Sequence, residues 1–359
     1  MTNMTNNKKI VLSGIRATGN LHLGNYFGAL GKFVRMQDDF DCRFFIADLH
    51  ALTTHPDPKA LHENVKSILA EYLAAGLDPE KNILYVQSDV PEISEMYLLM
   101  NMHAGIGELM RTASFKDKAR KALGISVKEN ESEEEIEKEI IGNQSSKSVN
   151  AGLLTYPTLM AVDILIHKAD FVPVGKDQEQ HLELTRRFGR RFNAFYKTDY
   201  FHDAVNFNFD GKPVKVPGLD GSGKMGKSEG NCIYLIDDEK TLRKKVMRAV
   251  TDAGPTVENS TPTEPVANLF TLMELVSEPS TLEHFKKAYA DCSIRYGDLK
   301  KQLAEDILKV TLPIRERILE IREDDEYISR VVRRGAEQAR DIAADTLRDV
   351  REIMGIRKF

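Results

Sequence analysis

The chain contains no tryptophan, although it holds 16 Phe and 11 Tyr in 359 residues. Cysteine is scarce as well. Cys42, Cys232 and Cys292 are odd in number, far apart and without CxxC spacing. That argues against a disulfide framework, a zinc site or an iron–sulfur cluster, and it makes a reducing cytoplasm the expected setting. No apolar run reaches the ~18 residues needed to span a bilayer. The polar start MTNMTNNKK lacks a signal-peptide core, so no membrane partner is expected. Positive charge is not in excess either: 50 Lys and Arg stand against 55 Asp and Glu, a net charge of -5. Any nucleic-acid contact must therefore come from local basic patches.

What is present is an alternation. Lys9–Ile15, Arg43–Ala47, Asn82–Gln87 and Phe171–Val174 read as buried strands. A segment opening near Gly24, then Pro58–Ala75, Pro91–Met102, Ala151–Lys168 and Gln178–Tyr196, read as helices. Strands separated by helices predict an α/β fold with a parallel sheet covered on both faces. Glu129–Glu139 carries seven Glu and one Lys, which predicts a solvated helix within an insertion at about 120–147. Beyond Asp237 the segments 238–252, 264–276, 282–290, 294–310 and 325–354 are amphipathic helices with no strand between them. The length fits two domains. The expected division is an α/β part at 1–236 and an all-helical part at 237–359, joined after the Gly-rich loop 218–230.

Two segments carry chemistry. The first strand runs into a Gly-rich turn, Gly14-Ile-Arg-Ala-Thr-Gly19, followed by His22-Leu-Gly-Asn25 at a helix start. Backbone N–H groups there can hold phosphate. The pattern is neither GxGxxG nor GxxxxGK[ST], so the dinucleotide fingerprint and the P-loop do not apply. His22 and Asn25 share one face of the first turn, and Gly24 between them lets a nucleotide approach the backbone. Far downstream, Lys224-Met-Gly-Lys-Ser228 places two Lys in a Gly-rich loop that can close on a polyphosphate. Singly, each segment also fits a bland reading, a helix cap and a solvated basic loop.

Together, HLGN and KMGKS resemble the HIGH and KMSKS signatures of class I aminoacyl-tRNA synthetases. Asp48-Leu-His-Ala-Leu-Thr53, Leu154–Leu165 (LTYPTLMAVDIL) and Val172–Arg186 (VPVGKDQEQHLELTR) narrow the resemblance to the tryptophanyl-tRNA synthetase family, bacterial type, over the chain from about Lys9 onward. The resemblance implies a Rossmann-like catalytic domain and a helical anticodon-binding domain. The implied activity joins L-tryptophan and ATP into an adenylate and then transfers the aminoacyl group to tRNA(Trp). ATP with Mg²⁺ bound to it as substrate, a cytoplasmic location and a homodimer holding one tRNA across two subunits are implied as well.

Residue by residue, the resemblance gives His22, Asn25, Lys224 and Lys227 to catalysis. Arg16, Ala17, Thr18, Gly24, Gly175, Lys176, Asp177, Val216, Met225, Gly226 and Ser228 join them at ATP, with Lys116 and Lys118 as further phosphate contacts. Asp163 would accept the indole N–H. Met160, Val172 and Val174 would line the ring pocket with His50 nearby, and Tyr156 and Gln178 would hold the ammonium. A carboxylate amid Leu159, Met160, Ile164 and Leu165 needs a donor, supplied either by the substrate or by an internal structural hydrogen bond, for example to a helix end. The sister tyrosyl-tRNA synthetase family is the alternative, and Met160-Ala-Val-Asp163 favours indole over phenol. Gly226, Arg16 and Ala17 depart from the family's usual Ser, Gln and Pro. For tRNA, Arg186-Arg187, Arg190-Arg191, Arg243-Lys244-Lys245 and Arg330, Arg333, Arg334 are the candidate basic clusters, each also readable as a solvated helix face.

Overall fold

The computed structural model describes residues 8–124, 135, 142, 149–175, 178–207, 209 and 214–356. Strands β1 (Ile10–Arg16), β2 (Asp41–Ala47), β3 (Ile83–Val86), β4 (Phe171–Val172) and β5 (Val205–Asn206) form one sheet in the order 3-2-1-4-5. Every neighbouring pair is parallel. β2 is buried along almost its whole length, as a central parallel strand covered on both faces must be. Strand order reverses between β1 and β4, so a crevice opens at their carboxyl ends, where such sheets bind ligands.

Helix α1 is composite: an α-helical turn Leu23–Asn25, a π-helical stretch Tyr26–Leu30, and Gly31–Met36. α2 (Pro58–Ala74) starts at Asp57, whose side chain accepts the Ala60 N–H at 3.0 Å, with Pro58 at the first helical position. α3 is Pro91–Asn101, and α4 is Ala113–Leu123. α5 (Ala151–Ile166) starts at Asn150, which accepts the Leu153 N–H at 3.0 Å. It has no polar stripe and packs between α3 and α6 (Glu179–Tyr196), the setting of a fully buried helix. The sequence did not foretell α4 or β5.

The helical segment follows as α7 (Glu239–Met247), α8 (Glu264–Val276), α9 (Pro279–Ala290), α10 (Tyr296–Glu323) and α11 (Asp325–Ile353). The predicted stop of α10 at 310 is corrected: the helix continues through Pro313. Proline removes one backbone donor there, but packing against α2, α7 and α8 holds the helix on either side. α11 returns to the sheet and lies against β3. A Cβ placed on Gly335 would overlap the Leu84 carbonyl, so glycine is what permits this approach. Arg334 with Glu80, Arg351 with Glu95, and Asp325 with Lys66 at 2.6 Å pin the helix in place. One continuous hydrophobic core runs from Val11 in β1 to Val331 in α11. Among the described residues no helix is long and apolar enough to cross a membrane.

Candidate active site

The turn after β1 and the segment after the KMGKS loop are stitched together by backbone. Leu23 N–H donates to the Ile233 carbonyl and Leu235 N–H to the Leu21 carbonyl, both at 2.9 Å, with His22 opposite Tyr234. Two signatures distant in sequence thereby share one wall of the crevice. His22 N–H donates to Asn25 Oδ1 at 3.1 Å. The His22 ring lies over Gly24, where a Cβ would come within 2.8 Å of it. Gly24 therefore first seats this ring, a tighter role than leaving room for nucleotide. Burial, reinforced by Lys227 and Lys224, lowers the His22 pKa to about 4. The imidazole is therefore neutral at pH 7 and offers a hydrogen-bonding group rather than a cation.

Lys227 already reaches the first turn: Nζ donates to the Gly19 carbonyl at 2.7 Å and the Thr18 carbonyl at 3.3 Å. Lys224 is exposed, and Met225 is buried with its N–H on the Val216 carbonyl at 2.8 Å. Ser228 Oγ donates to Glu229 at 2.9 Å. Asn231 organises the loop. Its Nδ2 donates to Asp220 Oδ1, Ser222 Oγ and the Lys224 carbonyl at 2.9, 3.0 and 3.1 Å, and its Oδ1 accepts the Gly226 N–H at 2.9 Å. Beneath the turn lies Glu71 of α2, fully buried, with Oε2 accepting the Leu21 N–H at 2.9 Å. Burial pushes its carboxyl up to about 8, against the pull of Leu21, Lys227 and Arg322.

The second half of the crevice is the pocket around Asp163. That carboxylate is 1% exposed. It accepts from His50 Nε2 at 3.0 Å and from Gln87 Nε2 at 2.8 and 2.9 Å. Burial raises its pKa, while the bonds from His50 and Gln87 oppose the rise. The Tyr156 ring meets His50 and His181 edge-on, at 4.7 and 5.3 Å between centroids. Lys118 Nζ sits 3.5 Å above the Tyr156 ring, and burial, with Arg16 adding to it, lowers that ammonium to about 8. Arg16 reaches the His50 carbonyl at 3.5 Å. Val172 is buried in a second hydrophobic cluster, with Met160 and Val174 packed against it. Gln178 N–H donates to the Gly175 carbonyl at 2.9 Å, closing the turn after β4.

The expected groups therefore fall at two ends of one crevice, joined by Arg16 and Lys118. Lys116 is buried. Lys176, Asp177 and most of the 120–147 segment lie outside the described residues. Gln87, Glu71 and Asn231 were missed by sequence reasoning. Each had a signal: a polar residue ending an apolar strand, an acid inside an apolar helical run, and an amide closing a Gly-rich loop. Of the basic clusters, Arg187 pairs with Glu108 and Glu183, Arg190 with Asp203, Arg191 with Glu108, Arg243 with Glu239 and Glu305, and Arg334 with Glu80.

Comparison with known proteins follows the same line. The family described as tRNA synthetases class I (W and Y) matches residues 4–311. The tryptophan--tRNA ligase of Porphyromonas gingivalis is 59% identical over 347 residues, covering 97% of this chain and 99% of the relative. That of Fusobacterium nucleatum is 37% identical, covering 96% and 97%. The crystal structure of the tryptophanyl-tRNA synthetase of Campylobacter jejuni, complexed with ADP and tryptophan, has 31% identity and a TM-score of 0.81, covering 96% of this chain and 99% of that one. The chain belongs to the class I tRNA synthetases of the tryptophan and tyrosine family, in its tryptophan--tRNA ligase branch.

Proposed function

We propose that the chain activates L-tryptophan with ATP and transfers it to tRNA(Trp), with the residues of the crevice in the following roles. The observation that carries this reading is the buried Asp163, held by two donors in an apolar pocket. Asp163 accepts the indole N–H. Phenylalanine would leave the one acceptor direction of Asp163 that His50 and Gln87 do not fill without a donor, which is a basis for rejection. Tyr156 and Gln178 face the ammonium, and Met160, Val172 and Val174 the ring.

The substrate carboxylate attacks the α-phosphorus of ATP, its new P–O bond forming as the bond to pyrophosphate breaks. No protein nucleophile is needed. The turn of Arg16, Ala17 and Thr18 together with Gly24, Asn25, Gly175 and the Val216 backbone positions ATP. Neutral His22 donates a hydrogen bond as charge develops. Lys227 moves from the Thr18 and Gly19 carbonyls onto phosphate, joined by Lys224 and Lys118, and stabilises the departing pyrophosphate. Mg²⁺ enters on the phosphates as part of the nucleotide substrate. A 3′-terminal ribose hydroxyl of tRNA then attacks the adenylate carbonyl and releases AMP.

A homodimer is proposed on exposed apolar surface: Leu98, Met102 and Ile106 are 57, 70 and 68% exposed, and Phe195, stacked edge-on against His103, is 71% exposed. A patch of that kind on a soluble chain marks an interface. Pyrophosphate exchange measured with each of the twenty amino acids tests the function. Exchange with tryptophan alone is expected, and exchange driven only by tyrosine would overturn it.

A further inference from the structure

We infer that Gln87 is a specificity-determining residue of the amino-acid pocket, its carboxamide orienting Asp163 as the acceptor for the indole N–H. The inference rests on the assignment of Asp163 to the indole. Gln87 directly follows β3, at the carboxyl end of the sheet where side chains face the crevice. It has no exposure to solvent. Its Nε2 lies 2.8 Å from Asp163 Oδ1 and 2.9 Å from Oδ2, so one amide bridges both oxygens. His50 Nε2 adds a third contact, on Oδ2 at 3.0 Å. A carboxylate offers about four acceptor directions, and these donors use three. The remaining one, on Oδ1, is the one the indole takes.

The amide cannot be turned round, because Oε1 would then face an anion. In the observed orientation Oε1 is buried and has no partner among the described residues. A buried acceptor left unmet is unfavourable. The contact of Nε2 with Asp163 therefore decides how this side chain sits. Without that donor one of the contacts opposing the burial-driven rise of the Asp163 pKa is lost, which shifts the group toward its protonated form, a donor instead of an acceptor. The ionisable groups around it are His50 and Asp48 after β2, Tyr85 on β3, and, across Tyr156, His181 on α6.

The test is a tryptophan titration followed by ligand indole fluorescence, which the tryptophan-free chain leaves uncluttered, together with pyrophosphate exchange on tryptophan and phenylalanine. For Gln87→Met the dissociation constant for tryptophan should rise about tenfold or more, as expected for losing a hydrogen bond to a charged group. That rise should exceed the fall in kcat, and the ratio to wild type should widen from pH 8 to pH 6. The preference for tryptophan over phenylalanine should shrink in parallel. Gln87→Glu should behave oppositely with pH, binding better as acid supplies a proton for the two carboxylates to share. It decides the matter if the Met variant does not fold. Wild-type affinity and selectivity in Gln87→Met, or a pH-independent affinity in Gln87→Glu, would overturn the inference. Asp163→Asn separates the two levels. If it leaves discrimination intact, the indole assignment fails. If it abolishes discrimination while Gln87→Met does not, only the role of Gln87 fails.

Discussion

The substitution Glu71→Gln should make the protein more stable, and increasingly so as the pH rises. Glu71 is fully buried beneath the first turn, and its carboxyl is pushed from 4.5 to about 8, chiefly by burial. Below the unfolded value both states hold the proton, and the group imposes no penalty. Between the two values the unfolded chain releases its proton while the folded chain keeps it. The folded state loses ground throughout that window, and the loss is complete near pH 8. The gap corresponds to at most about 5 kcal/mol. Local opening and water entry reduce this, so about 2–3 kcal/mol is the working expectation. The substituted carboxamide cannot ionise, yet its oxygen can still accept the Leu21 N–H. Urea unfolding of the ligand-free protein at pH 5, 6.5 and 8 measures the difference, since all other groups titrate in both proteins alike. The advantage of Glu71→Gln should be under about 1 kcal/mol at pH 5 and grow to its full size by pH 8. A gap that stays constant, or that shrinks as the pH rises, would refute the reasoning.

Three further outcomes follow from the geometry. Lys227→Ala should lower kcat for pyrophosphate exchange by about 100-fold or more while tryptophan affinity changes less than about twofold, because its phosphate contact belongs to the transition state; equal losses in both would place Lys227 in ground-state binding. Gly24→Ala should push the His22 ring aside and reduce kcat about tenfold or more, with a circular dichroism spectrum like wild type; full activity would mean the ring position is unimportant. Gly335→Ala should destabilise the protein by about 3 kcal/mol or more, since the clash is with backbone that cannot rotate away; an unchanged thermal midpoint would show that α11 can slide.

The α/β alternation, the helical C-terminal third and the two signature segments were all readable because each is a local pattern. Strand β2 ends in the apolar run Phe44–Ala47, and the HLGN and KMGKS segments, each open to a bland reading alone, gained their meaning as a pair. β5 escaped because two residues carry no periodicity; Val205 and Asn206 are a strand only because β4 lies beside them. The segment 294–310 stopped short of the true end of α10, which runs to Glu323 through Pro313 because packing on three neighbouring helices overrides proline's local preference. Gln87, Glu71 and Asn231 were missed for another reason. For Gln87 and Glu71 the significance lies in partners far along the chain, Asp163 and Leu21; for Asn231 it lies in the folded shape of its own loop, which the sequence does not display.

The contact between Gly335 and Leu84 also sets an order of events during synthesis. β3 is an edge strand of four apolar residues, Ile83–Val86, and the helix that covers it is made long after it. Roughly 250 residues must be added between them, which at about 5–20 residues per second takes tens of seconds. Throughout that interval the growing chain presents an uncovered strand able to pair with another like it. A chain ending before α11 would keep both signature segments and the whole sheet, yet it would never leave that vulnerable state. Synthesis of α11 is thus the step that makes the catalytic sheet safe to release.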